Sequence, residues 1–279
     1  MLSKIFKSLI ISVIALFLLT IGIDAADHYD NFSQSMIGKI VGNKPAGPCP
    51  TDMIFIPTDK GGFCIDAYEA SPGKDCPNQE VIDQLQSRDN VNAQTCAAQS
   101  ATGKKPWRFI SQTQAMTACA KAGKRLPSNE EWYLASLGTP DLEKQWSVDD
   151  CHVSNNWSEQ PGLTGSGKNC VSASGAFDMV GNVWEWVKGE INDGVYEGKT
   201  LPESGNIMSV DVNGVSVETN QDKPDANFNS DYFWVKNSGL RGMARGGYWD
   251  NGAGAGVYAM YLVSPPSFAG NGVGFRCAK

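Results

Sequence analysis

Hydrophobic positions change their rhythm several times along the chain, and each change marks an element. Lys4 and Lys7 precede an uncharged apolar run from Leu9 to Ile23, after which Asp24-Ala25-Ala26 return the chain to polar sequence. A basic flank, an apolar stretch and small residues form the layout of an export signal. The run also approaches the ~20 apolar residues that a spanning helix needs, so residues 1–25 read as a signal peptide or a retained membrane anchor. Residues 26–51 are polar, with Gly42, Pro45, Gly47, Pro48 and Pro50 crowded near the end, which predicts a linker. A folded body is expected over 52–279.

Within that body, Met53–Ile56 and Phe63–Tyr68 are short strand-like runs separated by Gly61-Gly62, a predicted hairpin. Ser111-Gln112-Thr113-Gln114 has the form of a capping box, Ala115, Ala118 and Ala122 follow at helical spacing, and Gly123 supplies a stop. Ser128-Asn129-Glu130-Glu131 repeats the box and opens a second predicted helix through Trp132, Leu134 and Ala135 to Gly138. Beyond it, Gly, Asn, Asp and Ser punctuate short apolar segments, as in a small twisted sheet with long loops.

Composition narrows the function classes. A chain of 279 residues with 41% apolar content can bury one large core or two small ones. Its net charge of -7, with no cluster of Lys and Arg beyond the extreme N-terminus, argues against nucleic acid. The chain has eight cysteines, Cys49, Cys64, Cys76, Cys96, Cys119, Cys151, Cys170 and Cys277, and an even set behind an export signal predicts disulfides in an oxidising compartment. No cysteine pair has the close spacing of a structural zinc site, and only His28 and His152 exist to complete one. Eight cysteines allow about 105 pairings, so composition alone leaves the connectivity open.

Motifs then add a resemblance. Phe63-Cys64-Ile65-Asp66, Gly123-Lys124-Arg125-Leu126-Pro127-Ser128 with Glu131-Trp132, Gly181-Asn182-Val183-Trp184-Glu185-Trp186, Arg245-Gly246-Gly247 with Trp249, and Gly274-Phe275-Arg276-Cys277-Ala278 follow one another in this order. Together they resemble the formylglycine-generating-enzyme, or sulfatase-modifying-factor, family over residues 52–279. The resemblance implies an α+β, C-type-lectin-like fold, loop-rich, with two helices packed on twisted antiparallel strands. It implies a pairing of Cys119 with Cys277; proximity then suggests Cys151 with Cys170 and Cys49 with Cys64, leaving Cys76 with Cys96. A structural calcium ion is also implied, held by the side chains of Asp178 and Glu185 and the carbonyls of Gly181 and Val183, since calcium takes hard oxygen ligands. The competing reading of that stretch is a solvated turn with an exposed carboxylate.

The enzymes of that family oxidise a substrate cysteine with two copper-binding thiolates placed shortly after the Arg-Gly-Gly motif. By spacing these positions are Asn251 and Gly256, and no cysteine lies between Cys170 and Cys277, so no copper and no catalysis of that kind are expected. The C-terminal segment is more similar to the variable proteins of diversity-generating retroelements: Arg245-Gly246-Gly247, Trp249, Asn251-Gly252, Ala255-Gly256-Val257, Leu262, Pro266-Ser267 and Gly274-Phe275-Arg276-Cys277. Miscopied adenines in such systems turn Asn codons into codons that never encode Lys, Glu or Gln, and none of the three occurs from Arg245 to Arg276. The resemblance marks Tyr248, Asp250, Ala253, Gly254, Tyr261, Val263, Ser264, Phe268, Gly270 and Gly272 as diversified, ligand-binding positions. Their mixture of aromatic and small residues is that of adaptable binding loops. Trp184, Trp186 and Trp249 are expected in the core, and Tyr261 or Phe268 has the inward-facing alternative.

The expectation is therefore an exported, non-catalytic protein, displayed at the cell surface or secreted. It would bind an unidentified protein or cell-surface ligand and touch a membrane only through its N-terminal segment. A formylglycine-generating oxidase is the first alternative. A calcium-dependent carbohydrate-binding lectin is the second, although Glu-Pro-Asn and Gln-Pro-Asp signatures are absent.

Overall fold

The computed structural model describes residues 48–279. The apolar run and almost all of the expected linker lie outside the described residues. The chain divides into two units, 1–48 and 49–279, and the described architecture is that of the second. No described helix is long and apolar enough to cross a membrane.

Strand β1 (Met53–Ile56) pairs antiparallel with β2 (Phe63–Asp66), as the alternating pattern around Gly61-Gly62 predicts. Gly62 is needed there for space as well as for its positive φ: a Cβ would lie 2.5 Å from the Ile56 carbonyl oxygen. A second small ladder joins β3 (Ala70–Pro72) to β4 (Ala98–Ser100), and α1 (Gln84–Asn92) lies between them in the chain. Helix α1 was not expected. It buries only Ser87 and Asn90, so no apolar stripe announces it, and it is held by an Asp83 cap and by Ser87, whose hydroxyl accepts from Trp107 Nε1 at 3.0 Å.

Helices α2 (Gln112–Lys121) and α3 (Asn129–Ser136) begin at the two predicted capping boxes. In each, the serine Oγ accepts the N3 amide and the N3 side chain accepts the serine amide, satisfying donors that the helix leaves free. Both pack on the main sheet. Its strands are β5 (Trp184–Asn192), β6 (Val195–Tyr196), β7 (Lys199–Thr200), β8 (Gly205–Val210), β9 (Ser216–Asn220), β10 (Tyr232–Val235), β11 (Leu240–Arg245), β12 (Met260–Leu262) and β13 (Val273–Phe275). The order is β7-β6-β5-β11-β12-β10-β8-β9, with β13 added on β5. The pairing is antiparallel except β10 with β12 and β13 with β5, which run parallel. The Asn-, Asp- and Gly-rich stretch 189–237 builds β6 to β10 and widens the sheet.

Two apolar clusters carry the α+β packing. Trp107, Trp186 and Phe275 meet Ala115 and Ala118 of α2, while Trp132 of α3 meets Ile65, Phe233 and Met243. The disulfides are Cys49–Cys64, Cys76–Cys96, Cys119–Cys277 and Cys151–Cys170, the expected connectivity. The third closes the longest loop, 158 residues apart, and fastens the end of the chain to α2. Each such closure stabilises by roughly 2–4 kcal/mol through the unfolded chain.

Candidate functional site

The segment from Arg245 to Arg276 is anchored at both ends by buried cations. Arg276 is fully buried; its Nε and Nη2 donate to the two carboxylate oxygens of Glu185 at 2.7 and 2.5 Å, and Trp132 Nε1 adds a third donor at 2.7 Å. Arg245 is equally buried and, among the described residues, has no such ion pair. Its Nη groups donate to the carbonyls of Tyr258 and Val257, and its guanidinium lies 5.2 Å from the Trp132 ring centroid. Burial pulls its pKa down to about 10.

Between these anchors the scaffold grips the segment by its main chain. The amides of Gly242, Gln112, Phe109 and Trp184 donate to the carbonyls of Ser264, Pro266, Gly270 and Gly272 at 2.9–3.0 Å. Two carboxyls, one half-buried and one buried, grip the turn before β12: Asp141 accepts the Val257 amide at 3.1 Å and Asp231 the Tyr258 amide at 2.8 Å. Withdrawal from water raises Asp141 to about 7 and Asp231 well above the usual carboxylate range.

So held, the segment opens a cleft of about 310 Å³ lined by Tyr248, Tyr261, Phe268, Gly270 and Gly272, with Trp184 and Trp234 from the scaffold. Trp184 and Trp234 meet edge to face at 5.3 Å between centroids, and Trp184 and Tyr261 lie 5.6 Å apart. No charged side chain lines the cleft. Such a surface offers rigid apolar area and ring faces, and its volume suits one side chain or a small ring.

Five of the ten expected positions therefore meet in one place. Gly254 lies close by, where a Cβ would stand 3.1 Å from the Trp234 ring. Asp250 is exposed and accepts from Asn155 Nδ2 at 2.5 Å; neither it nor Ala253 nor Val263 lines the cleft. Ser264 is a correction: it is buried, and its hydroxyl bonds to the Tyr261 hydroxyl at 2.8 Å, so it positions a cleft residue from behind. Gly272 is also buried, since the Tyr248 ring covers it. Trp186 and Trp249 are buried as expected, while Trp184, though only 5% exposed, turns that remnant into the cleft. Sequence reasoning missed Trp234. It stands on β10 in the inserted stretch, where only the run Tyr232-Phe233-Trp234-Val235 hinted at a strand.

The calcium ligands do not fit a metal. Both Glu185 oxygens are taken by Arg276 and Trp132, and Asp178 accepts the Gly165 amide at 2.6 Å. Asp178 is buried and raised to about 7, chiefly by that burial, so it is not the exposed carboxylate of a solvated turn either. A guanidinium supplies the positive charge at this spot, and among the described residues no group of three or more His, Cys, Asp or Glu is arranged to hold a metal ion. The copper positions do not fit either. All eight cysteines are paired, Asn251 Oδ1 accepts the Tyr248 amide, and a Cβ on Gly256 would lie 1.8 Å from Asp231 Oδ1. A thiolate at residue 256 would have to displace the carboxyl that holds the turn.

The anchors, the capped helices and the C-terminal strand all lie within the span matched by one family. The family described as sulfatase-modifying factor enzyme 1-like domain matches residues 57–279. The chain belongs to this family. Among solved structures, this sulfatase-modifying-factor-like chain is similar to the Major Tropism Determinant U1 variant, with 16% identity over 84% of this chain and 54% of that one and a TM-score of 0.42. Treponema denticola variable protein 1 shares 17% identity over 78% and 84% of the two chains, with a TM-score of 0.43. PvdO from Pseudomonas aeruginosa shares 16% over 81% and 89%, with a TM-score of 0.38. The chain spans about half the length of the Major Tropism Determinant variants it matches. None of the curated proteins matches it.

Proposed function

We propose that this protein is an exported, surface-displayed, non-catalytic ligand-binding protein whose site is the diversified segment from Arg245 to Arg276, a variable protein of a diversity-generating retroelement. The observation that carries this reading is the convergence of Tyr248, Tyr261, Phe268, Gly270 and Gly272 on one uncharged cleft. Those positions were marked by a sequence template alone, and they meet on a backbone that the scaffold holds independently of side chains. With every cysteine in a disulfide, no thiolate is left to bind copper or to attack a substrate. Four disulfides suit an oxidising, extracytoplasmic setting.

Sequencing the flanks of the gene tests the reading. A near-copy of the coding segment for Arg245–Arg276, differing almost only at adenines and lying beside a reverse-transcriptase gene, is the expected result. Absence of both from a complete neighbourhood would overturn it. Separately, a cysteine-containing sulfatase peptide incubated with the protein and copper should yield no aldehyde; aldehyde formation would install the oxidase reading instead.

A further inference from the structure

The cleft has a cationic neighbour that the diversified positions do not supply. Arg108 lies on the short segment between Trp107 and Ile110, both wholly buried. The next residue, Phe109, holds a φ of 53°, a left-handed conformation that a bulky side chain adopts only when its surroundings impose it. Here they do: the Phe109 amide donates to Gly270 and the Trp107 amide to Ala70. The Arg108 guanidinium is sandwiched near two rings, 5.2 Å from the Phe109 centroid and 5.9 Å from that of Trp249. Its Nη1 donates to the carbonyl of Asn271, a residue that lines the aromatic cleft.

What Arg108 lacks is an anion. Among the described residues no carboxylate stands within ion-pair distance of it, whereas Lys124, Arg125 and Arg276 each have one. Its Nε is withdrawn from water with no acceptor. Removing a guanidinium from water is costly unless hydrogen-bonded partners offset the loss, and the five donors of arginine are arranged to meet a carboxylate two at a time. Resting on the reading of the cleft as a ligand site, we propose that Arg108 is a fixed anion anchor at the cleft rim. The ligand then carries a carboxylate beside an apolar or aromatic group, as an acidic peptide segment does. The ring enters the cleft against Trp184 and Trp234, and the carboxylate meets Arg108. Because Arg108 lies outside Arg245–Arg276, this requirement is common to every version of the diversified segment.

Two small probes of matched shape test this: phenylacetate and its neutral isostere phenylacetamide, titrated into the nitrogen-15-labelled full chain while the indole N–H resonances of Trp184 and Trp234 are followed. Phenylacetate should bind about five- to ten-fold more tightly than the amide, the preference that a charged hydrogen bond at a partly wet site gives. Arg108→Gln should abolish that preference, and Arg108→Lys should restore part of it. Equal binding of the two probes, or a preference that survives Arg108→Gln, overturns the anion anchor while leaving the cleft standing. If neither probe moves the two indole resonances, or if Trp234→Ala leaves binding of the amide unchanged, the cleft reading itself falls and takes the anchor with it.

Discussion

Arg245 and Arg276 end the segment that forms the cleft, and both are fully buried; Tyr248, Tyr261 and Phe268 between them are half-buried or exposed. The two arginines touch aromatic rings, carbonyls and one carboxylate pair, each at a fixed distance and angle. Of the cleft residues, Tyr261 packs on Trp184 and Tyr248 on Trp249, with their outer faces open. One stretch of chain therefore has positions where a single residue type is demanded and positions where many would do. The difference lies in what each side chain leaves behind when removed: buried acceptors without donors in the first region, with an uncompensated charge on Glu185 at Arg276, and a wetter surface in the second.

The largest effect should come from breaking the first region. Arg276→Met leaves Glu185 buried without its cation and should cost about 3–5 kcal/mol in denaturant unfolding. A loss under about 1 kcal/mol would abolish the contrast drawn above. The next effect is one of pH. Asp66 is raised to about 6, and Asp141 and Asp178 to about 7, each mainly by burial. These carboxyls hold their protons more tightly folded than unfolded, so their contribution is complete below about pH 4 and fades as pH rises through 6 and 7. Asp231 and Glu69, also raised by burial, act in the same sense, while the lowered His152, Glu131 and Asp150 act in the opposite one. The melting temperature should be higher at pH 5 than at pH 8, and Asp141→Asn should flatten that slope. A flat or inverted slope in the parent protein would show that burial does not raise these carboxyls.

Smaller effects sharpen the second region. Phe268→Ala, at a side chain 38% exposed, should change unfolding by no more than about 0.5 kcal/mol. A cost above about 2 kcal/mol would place that ring in the core. The smallest expected effect is that of a chelator: with Glu185 already paired with Arg276, melting in excess EDTA should match melting without it. A clear fall would return a cation to Asp178 and Glu185.

The legible parts of this fold were local ones. Ser111 and Ser128 stand three residues before a glutamine and a glutamate, so both helix starts could be read, and Gly61-Gly62 gave the hairpin. Helix α1 could not be read, because its stability comes from polar contacts at Asp83 and Ser87 and not from an apolar period. The cleft was half legible. Tyr248, Tyr261 and Phe268 stand at template positions, but Trp234 arrives through a strand pairing, β10 beside β12, that nothing nearby in sequence specifies. The acidic stretch Asp178–Glu185 has the same letters whether it meets an ion or an arginine 91 residues further on, and only the folded chain distinguishes the two.

The main-chain grip on the segment has a consequence for heredity. At Ser264, Pro266, Gly270 and Gly272 the segment offers carbonyl oxygens and the scaffold offers the N–H groups. Every amino acid, proline included, has that oxygen. A gene that rewrites letters here while keeping their number never removes a rung from the support, whereas adding or deleting one codon shifts every rung beyond it. Along this stretch the backbone support thus tolerates changes of residue but not changes of length.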